Sequence, residues 1–101
     1  MSSFKSGTVV GTGAAINIEL GWTPDYVKVF NATDADQIDE WVAGMAAGTS
    51  IQTNTAVAIR SSNGISPYAG TPADKKLGFT IGSGISESTK TLYWIAMRAL
   101  P

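Results

Sequence analysis

Four of the eight acidic side chains of this chain lie in one short stretch, where chemistry would be expected first. Asp34, Asp36, Asp39 and Glu40 lie within seven residues of one another, and hard cations such as Ca²⁺ bind carboxylate oxygens that are held close together. The ligand spacing of an EF-hand loop and its glycine are absent from this stretch. We therefore interpret the four carboxylates as a solvated acidic corner and predict no bound metal.

The chain also lacks the residue types and motifs of other common catalytic and cofactor sites. The chain has no histidine and no cysteine, which removes the commonest general base and the thiol nucleophile. Residues 11–13 (GTG) and 82–84 (GSG) lack the third glycine, or the Gly-Lys-Ser/Thr, of a phosphate-binding loop, so we interpret them as strand-end turns. Residues 31–33 (NAT) match a glycosylation sequon by chance, in our interpretation. We expect no enzymatic activity and no cofactor.

Charge and hydropathy limit the partners. The formal net charge is −1, and Lys75-Lys76 is the one pair of adjacent basic residues, so we expect no nucleic-acid partner. No apolar run approaches the roughly 20 residues of a membrane span, and residues 1–5 do not resemble a signal peptide. Charged residues are 15% of the chain, against about 25% in typical soluble domains. Such a surface is either rich in neutral polar groups or buried in an assembly, and both readings stay open.

Two alternating segments near the start predict strands. Residues 14–20 place Ile16, Ile18 and Leu20 on one face, and residues 26–32 do the same for Val27 and Val29. The turn between the two segments contains a proline that ends one strand and delays the next. Because about five residues connect the segments, we expect them to pair as antiparallel neighbours.

The segment from Asp36 to Ala47 admits two structures. Ile38, Trp41, Val42 and Met45 have the spacing of an amphipathic helix, with Asp34 or Asp36 as a possible N-cap. Glycines at 44 and 48 interrupt this pattern, and β-rich sequence surrounds it. Helix and strand both stay open on the residues alone.

The second half of the chain predicts further strands around a long loop. We expect a strand over 49–60, with Thr55, Val57 and Ile59 on one face, then a loop over 61–76. Two more strands follow over 77–81, with Phe79 and Ile81 on one face, and over 91–100. The last is apolar on both faces, which favours a central position. Residues 1–101 are predicted to form one domain, in which residues 1–7 are a flexible arm. The remainder, residues 8–101, is predicted to be an all-β antiparallel sandwich of six or seven short strands.

The aromatic side chains are the remaining candidates for a functional role. Tyr93 and Trp94 lie in the last predicted strand, so we expect them in the core. Phe4 in the arm, Trp22 in a turn and Tyr68 in the long loop are better placed to reach a surface. We therefore predict Phe4, Trp22 and Tyr68 as interface residues.

Several stretches, taken together, resemble a family of small structural proteins of tailed-phage virions. The stretches are AAINIELGWTPDYVKVFNATDAD (14–36), EWVAGMAAG (40–48), LGFTIGSGIS (77–86) and TLYWIAMR (91–98). In that family a G-[FW]-T-P-x-Y-V-x-V turn and strand, an E-W-x-x-G-M segment, a G-F-T-I-G strand and a terminal Y-W-I-A strand follow in this order. The resemblance favours a strand over a helix at 38–42.

The resemblance also implies a function. Such proteins are similar to head-decoration, or capsid cement, proteins, which are β-rich and bind a capsid lattice in many copies without a cofactor. The expected partners are the major capsid protein and copies of the chain itself, with a trimer as one possibility. The expected location is the virion, assembled in the bacterial cytoplasm. The alternative is a tail or tail-fibre module in which Trp22, Trp41 or Tyr68 stacks on host glycans or contacts another virion protein.

Overall fold

A computed structural model describes residues 2–31, 37–54, 56–70 and 77–99, and the described residues form eight β-strands. None of the described residues lies in a helix that is long and apolar enough to cross a membrane. The strands are β1 (Ser2–Val10), β2 (Ile16–Glu19), β3 (Tyr26–Asn31), β4 (Ile38–Val42), β5 (Thr49–Thr53), β6 (Val57–Tyr68), β7 (Gly78–Ile81) and β8 (Thr91–Ala99).

The eight strands form one curled antiparallel sheet in the order β1-β8-β3-β4-β5-β6-β7-β2. The curl brings distant strands together: the ring of Phe79 on β7 lies edge-on against Trp94 on β8, with 5.5 Å between the ring centroids. Lys5 on the β1 edge also donates to the carbonyl of Leu20, just beyond the β2 edge, over 2.8 Å. The predicted all-β antiparallel class is confirmed. The described residues form eight strands where six or seven were predicted, and one curled sheet encloses the core.

The core lies inside the curl and follows the period-two patterns of the sequence. Val27 and Val29 on β3 are buried, as are Phe79 and Ile81 on β7, and each pair shares a face as predicted. The buried apolar cluster also includes Leu20, Trp22, Trp41, Ile65, Ile85, Leu92, Trp94 and Ala96.

The prediction of a flexible arm over residues 1–7 is wrong for residues 2–7. Ser2 to Val10 pair continuously with Ala99 to Thr91 on β8, which makes this stretch the edge strand β1. Gly7 lies over the indole of Trp94, where a Cβ atom would approach a ring carbon to 2.8 Å. A short polar sequence therefore adopts regular structure because β8 supplies a complete partner strand.

The prediction that β2 and β3 pair with each other is also wrong. β2 pairs with β7 at one end of the sheet, whereas β3 lies between β8 and β4. The connection crosses the curl: the N–H groups of Leu20 and Gly21 donate to Leu77, and that of Asp25 donates to Met97. Long-range pairing with strands from the end of the chain prevails over the short connection.

The segment that admitted a helix contains a strand. β4 covers Ile38–Val42, with alternating burial, and Trp41 turns inward while Val42 is exposed. The helix-like spacing does not reflect a single apolar face. Trp41 points inward from β4, whereas Ile38 and Val42 point outward. Asp34 and Asp36, the candidate N-caps, lie outside the described residues.

The expected single strand over 49–60 and the expected loop over 61–76 are both wrong in their bounds. Thr49–Thr53 and Val57–Tyr68 form a hairpin, so residues 61–68 belong to a strand. The register shifts between Thr49 and Ser50, where residues 61–64 bulge out of the ladder and Asn63 adopts a φ of 57°. Thr55 and residues 71–76 lie outside the described residues.

Candidate interaction surface

The three predicted interface residues occupy different environments. Phe4 on β1 is 60% exposed, as an interface residue should be, and Tyr68 at the end of β6 is half-buried. Trp22 is buried at 8% exposure, which corrects its placement at the surface. Its indole packs into the core beneath the guanidinium of Arg98, whose central carbon lies 5.6 Å from the ring centroid. The three side chains do not form a single site: Trp22 is structural, and Phe4 and Tyr68 lie on strands at opposite parts of the sheet.

A larger apolar surface covers the outward face of the sheet from β1 to the first half of β6. Residues directly opposite each other in neighbouring strands share a face. One row runs Phe4, Met97, Tyr26 and Val42, and another runs Thr8, Tyr93, Phe30, Ile38, Thr53 and Val57. Between them runs the row Ser6, Ile95, Lys28, Glu40, Ile51 and Ile59. We call these residues, together with Val10 and Thr91, the outer face.

The outer face carries the exposed large apolar side chains of the described residues. Seven large apolar side chains there are at least 39% exposed, and every one of them belongs to the outer face. They are Phe4, Val10, Val42, Val57, Ile59, Tyr93 and Met97. Single exposed apolar residues are ordinary, whereas several on the same face of a sheet mark a candidate interaction surface.

The structure shows which residues of β8 and β6 lie on the outer face and which lie in the core. Tyr93 was expected in the core but is 50% exposed, because β8 turns Leu92, Trp94 and Ala96 inward and its other face outward. Val57 and Ile59 share a face as predicted, but it is the exposed one. The bulge beside Thr49 then shifts the ladder, so that Ile65 on the same strand points into the core.

Charge is scarce on the outer face. Lys28 and Glu40 are direct neighbours on β3 and β4, so their opposite charges lie side by side. The ammonium of Lys28 lies 5.0 Å from the ring centroid of Phe30, and Glu40 accepts a hydrogen bond from the hydroxyl of Tyr26 over 2.6 Å. The surface is therefore close to neutral and suits an apolar, uncharged counterpart.

The outer face also has a depression of about 570 Å³ between β1, β8 and β3. It is open to solvent and is lined by Ser6, Gly7, Thr8, Phe30, Tyr93, Trp94 and Ile95. Its aromatic and aliphatic lining could receive an apolar side chain from a partner. No titratable pair lies among its lining residues that would suit catalysis.

The acidic corner predicted from the sequence is divided in the structure. Asp39 is completely buried, so it is not the solvated carboxylate that was expected. It accepts hydrogen bonds from Arg60 Nε at 2.9 Å, Ser50 Oγ at 2.6 Å and Gln37 Nε2 at 3.0 Å. Neighbouring Glu40 points to the outer face instead, and residues 34 and 36 are not described. Asp39 is therefore a structural carboxylate satisfied by three donors.

Tyr26 offers a test of the geometry of the outer face. Partial burial, then the hydrogen bond to Glu40 and its negative charge, raise the pKa of Tyr26 from its ordinary value of 10.0 to about 12. A raised pKa favours the protonated folded state, so this stabilisation is complete below pH 10 and disappears as the pH rises to about 12. We expect the difference in unfolding free energy between the wild type and Tyr26→Phe to be constant below pH 10 and to fall between pH 10 and 12.

Denaturant unfolding of the two proteins at several pH values measures this difference, because the other titrating groups are common to both. Absorbance of phenolate near 295 nm supplies the second readout, since Tyr26→Phe removes the component that titrates near pH 12. A difference that does not change over this pH range would contradict the hydrogen bond to Glu40.

Within the described part of the chain, no three acidic, histidine or cysteine side chains form a group that could hold a metal ion. Searches against protein families, curated proteins and solved structures find no match to this chain. Its function must therefore be inferred from its own surface and sequence pattern.

Proposed function

We propose that the chain is a non-enzymatic structural protein of a phage virion, a decoration or cement protein that binds the outside of the capsid through the outer face. The resemblance of its sequence pattern to small virion proteins supports the class of protein. The outer face carries the proposal, because the seven exposed large apolar side chains of the described residues share it. A monomer free in solution gains nothing from such a surface, whereas a protein that binds a lattice needs one.

The shape and chemistry of the outer face suit this role. It is the convex side of a curled sheet, so it fits a groove between neighbouring capsid subunits better than another convex surface. Burying an aliphatic or aromatic side chain contributes about 1.5–3 kcal/mol, so a few of these residues suffice for binding. Modest contacts repeated over a lattice are then strengthened by the high effective concentration of sites.

The alternative, a tail or tail-fibre module, receives less support. A glycan-stacking platform needs aromatic rings open to solvent, but Trp22 and Trp41 are 8% and 4% exposed. Tyr68, the third residue of that hypothesis, is half-buried. A contact of the tail module with another virion protein would use the same outer face, so location on the particle separates the two functions.

Binding to empty capsids of the phage that encodes the chain tests the proposal. We expect the wild type to co-sediment with capsids, and Val57→Glu or Ile59→Glu to bind at least about ten-fold more weakly, since each buries a carboxylate in place of an apolar group. Ser83→Glu is the matched control, because Ser83 is exposed in a turn away from the outer face. It adds the same charge and should bind as the wild type does.

A cryo-electron microscopy map of the particle supplies an independent test. Density for the curled sheet on the shell, with the outer face of β6 toward the capsid protein, is the expected result. Density on the tail, or equal capsid binding by Ile59→Glu and the wild type, would overturn the proposed role. Saturable binding on a glycan array would favour the tail module.

A further inference from the structure

β1 is an open edge of the sheet that carries none of the usual protection against pairing. It is nine residues long, stands at the end of the strand order and pairs with β8 among the described strands. Natural edge strands are commonly short, bulged, or guarded by proline or by charges. β1 has no proline and no register shift, and the opposite edge, β2, has four residues.

The one charged residue of β1 does not guard the edge. The ammonium of Lys5 is fixed to the carbonyl of Leu20 over 2.8 Å, on the inward side of the strand. The flanking residues Phe4 and Ser6 are exposed, so the backbone of the strand is accessible from outside. Lys5 is exposed, but its ammonium is held at Leu20 on the inward side, so an approaching strand meets open hydrogen-bonding groups along the edge.

The direction in which the backbone N–H and C=O groups of β1 point follows from the hydrogen bond just beyond the end of the strand. The N–H of Gly11 donates to the carbonyl of Lys90 over 2.8 Å, one position beyond the Val10–Thr91 pair. Backbone groups point to alternate sides of a strand, so Val9, Gly7 and Lys5 bond to β8. The even-numbered residues from Phe4 to Val10 present their N–H and C=O groups to the open edge.

We propose that this edge binds the β1 strand of a second copy of the chain, antiparallel, across a two-fold axis at Gly7. This axis places Phe4 opposite Val10 of the second copy and Ser6 opposite Thr8, and the same contacts recur on the other side of the axis. Phe4 and Val10, 60% and 56% exposed, then cover each other as aromatic and β-branched cross-strand neighbours.

The charge and backbone patterns agree with this pairing. Four residue pairs would each exchange two backbone hydrogen bonds, about eight in total. The two Lys5 residues would lie about four residues apart along the strands, roughly 14 Å, so they do not repel strongly. The two outer faces become one continuous surface across the axis, as expected for an isologous dimer. This pairing does not depend on capsid binding.

Molar mass of the full chain, measured by light scattering after size exclusion, tests the dimer. We expect a dimer for the wild type, and a dissociation constant at least about ten-fold higher for Ser6→Pro, which removes an outward donor at the edge. Asn17→Pro is the matched control. The N–H of Leu20 donates to Leu77, so Asn17 points its own N–H outward at the β2 edge, and this variant should remain dimeric.

Single engineered cysteines test the register in the otherwise intact protein, since the chain has no cysteine of its own. An equal mixture of Ser6→Cys and Thr8→Cys should form disulfide-linked heterodimers, because residues 6 and 8 face each other across the axis. Cross-linking of Ser6→Cys mainly with itself would overturn the axis at Gly7. A monomeric wild type at about 100 μM, or a dimer unaffected by a folded Ser6→Pro, would overturn the proposed edge. Loss of capsid binding with the dimer intact would count against the proposed function alone.

Discussion

Replacing Asp39 by alanine is expected to lower the free energy of unfolding by about 3 kcal/mol, because it leaves the charge of Arg60 without its partner. The carboxylate is 1% exposed and Arg60 16% exposed, with 2.9 Å between Asp39 Oδ2 and Arg60 Nε. Removing one member of a buried ion pair costs about 3–5 kcal/mol, and the partial exposure of Arg60 favours the lower end. The hydroxyl of Ser50 also loses its acceptor.

Thermal and denaturant unfolding measure this effect. A loss of about 3 kcal/mol corresponds to a fall in Tm of about 12–24 °C for a chain of this size. Glu40→Ala is the matched control, because Glu40 is the adjacent carboxylate on the outer face and its loss should cost about 1 kcal/mol. Replacing both Asp39 and Arg60 by leucine and methionine should recover stability relative to Asp39→Ala. A cost below about 1 kcal/mol for Asp39→Ala would contradict the buried pair.

Truncating Phe79 to alanine is expected to destabilise the chain by about 3–5 kcal/mol. The ring is completely buried on β7 and lies against Trp94 at an interplanar angle of 71°. The truncation leaves a cavity where strands from distant parts of the sheet meet, and it also removes an edge-to-face aromatic contact worth about 0.5–1.5 kcal/mol beyond burial. It therefore tests whether the sheet curls upon itself.

Phe4→Ala is the matched control for this truncation, since it removes the same side chain from an exposed position. Urea unfolding should show a change below about 1 kcal/mol for Phe4→Ala. The near-ultraviolet circular dichroism of the tryptophans should change in Phe79→Ala, because Trp94 loses its ring contact, and persist in Phe4→Ala. Similar stabilities for the two variants would argue against the contact between β7 and β8.

The strands are the part of the fold that the sequence predicts well. Alternation places Val27 and Val29, or Phe79 and Ile81, on one face, because successive side chains of a strand point to opposite sides whatever the neighbouring strands are. This local rule also gives the all-β class. It fails for β1, whose sequence SSFKSGTVV has little pattern and becomes regular through its pairing with β8.

The outer face was harder to predict from the sequence than the strands were. The low fraction of charged residues left open whether some surface is buried in an assembly, and Tyr93, one of the side chains that form the outer face, looked like core. β8 is apolar on both faces, and no local property distinguishes Tyr93, which is exposed, from Trp94, which is buried. Trp22 was misjudged for the converse reason, since a turn that crosses the curl is covered by Arg98.

The sequence by itself determined the all-β class, the strands β2, β3, β7 and β8, and which of their residues share a face, because these follow from the backbone geometry of a few neighbouring residues. Which face is inside was decided by the tertiary structure, through the strand order and the bulge at Thr49 and Ser50. It also decided that Asp39 is buried, since its partner Arg60 lies 21 positions away along the chain. Such pairings depend on contacts between distant segments, which the spacing of residues along a chain does not encode.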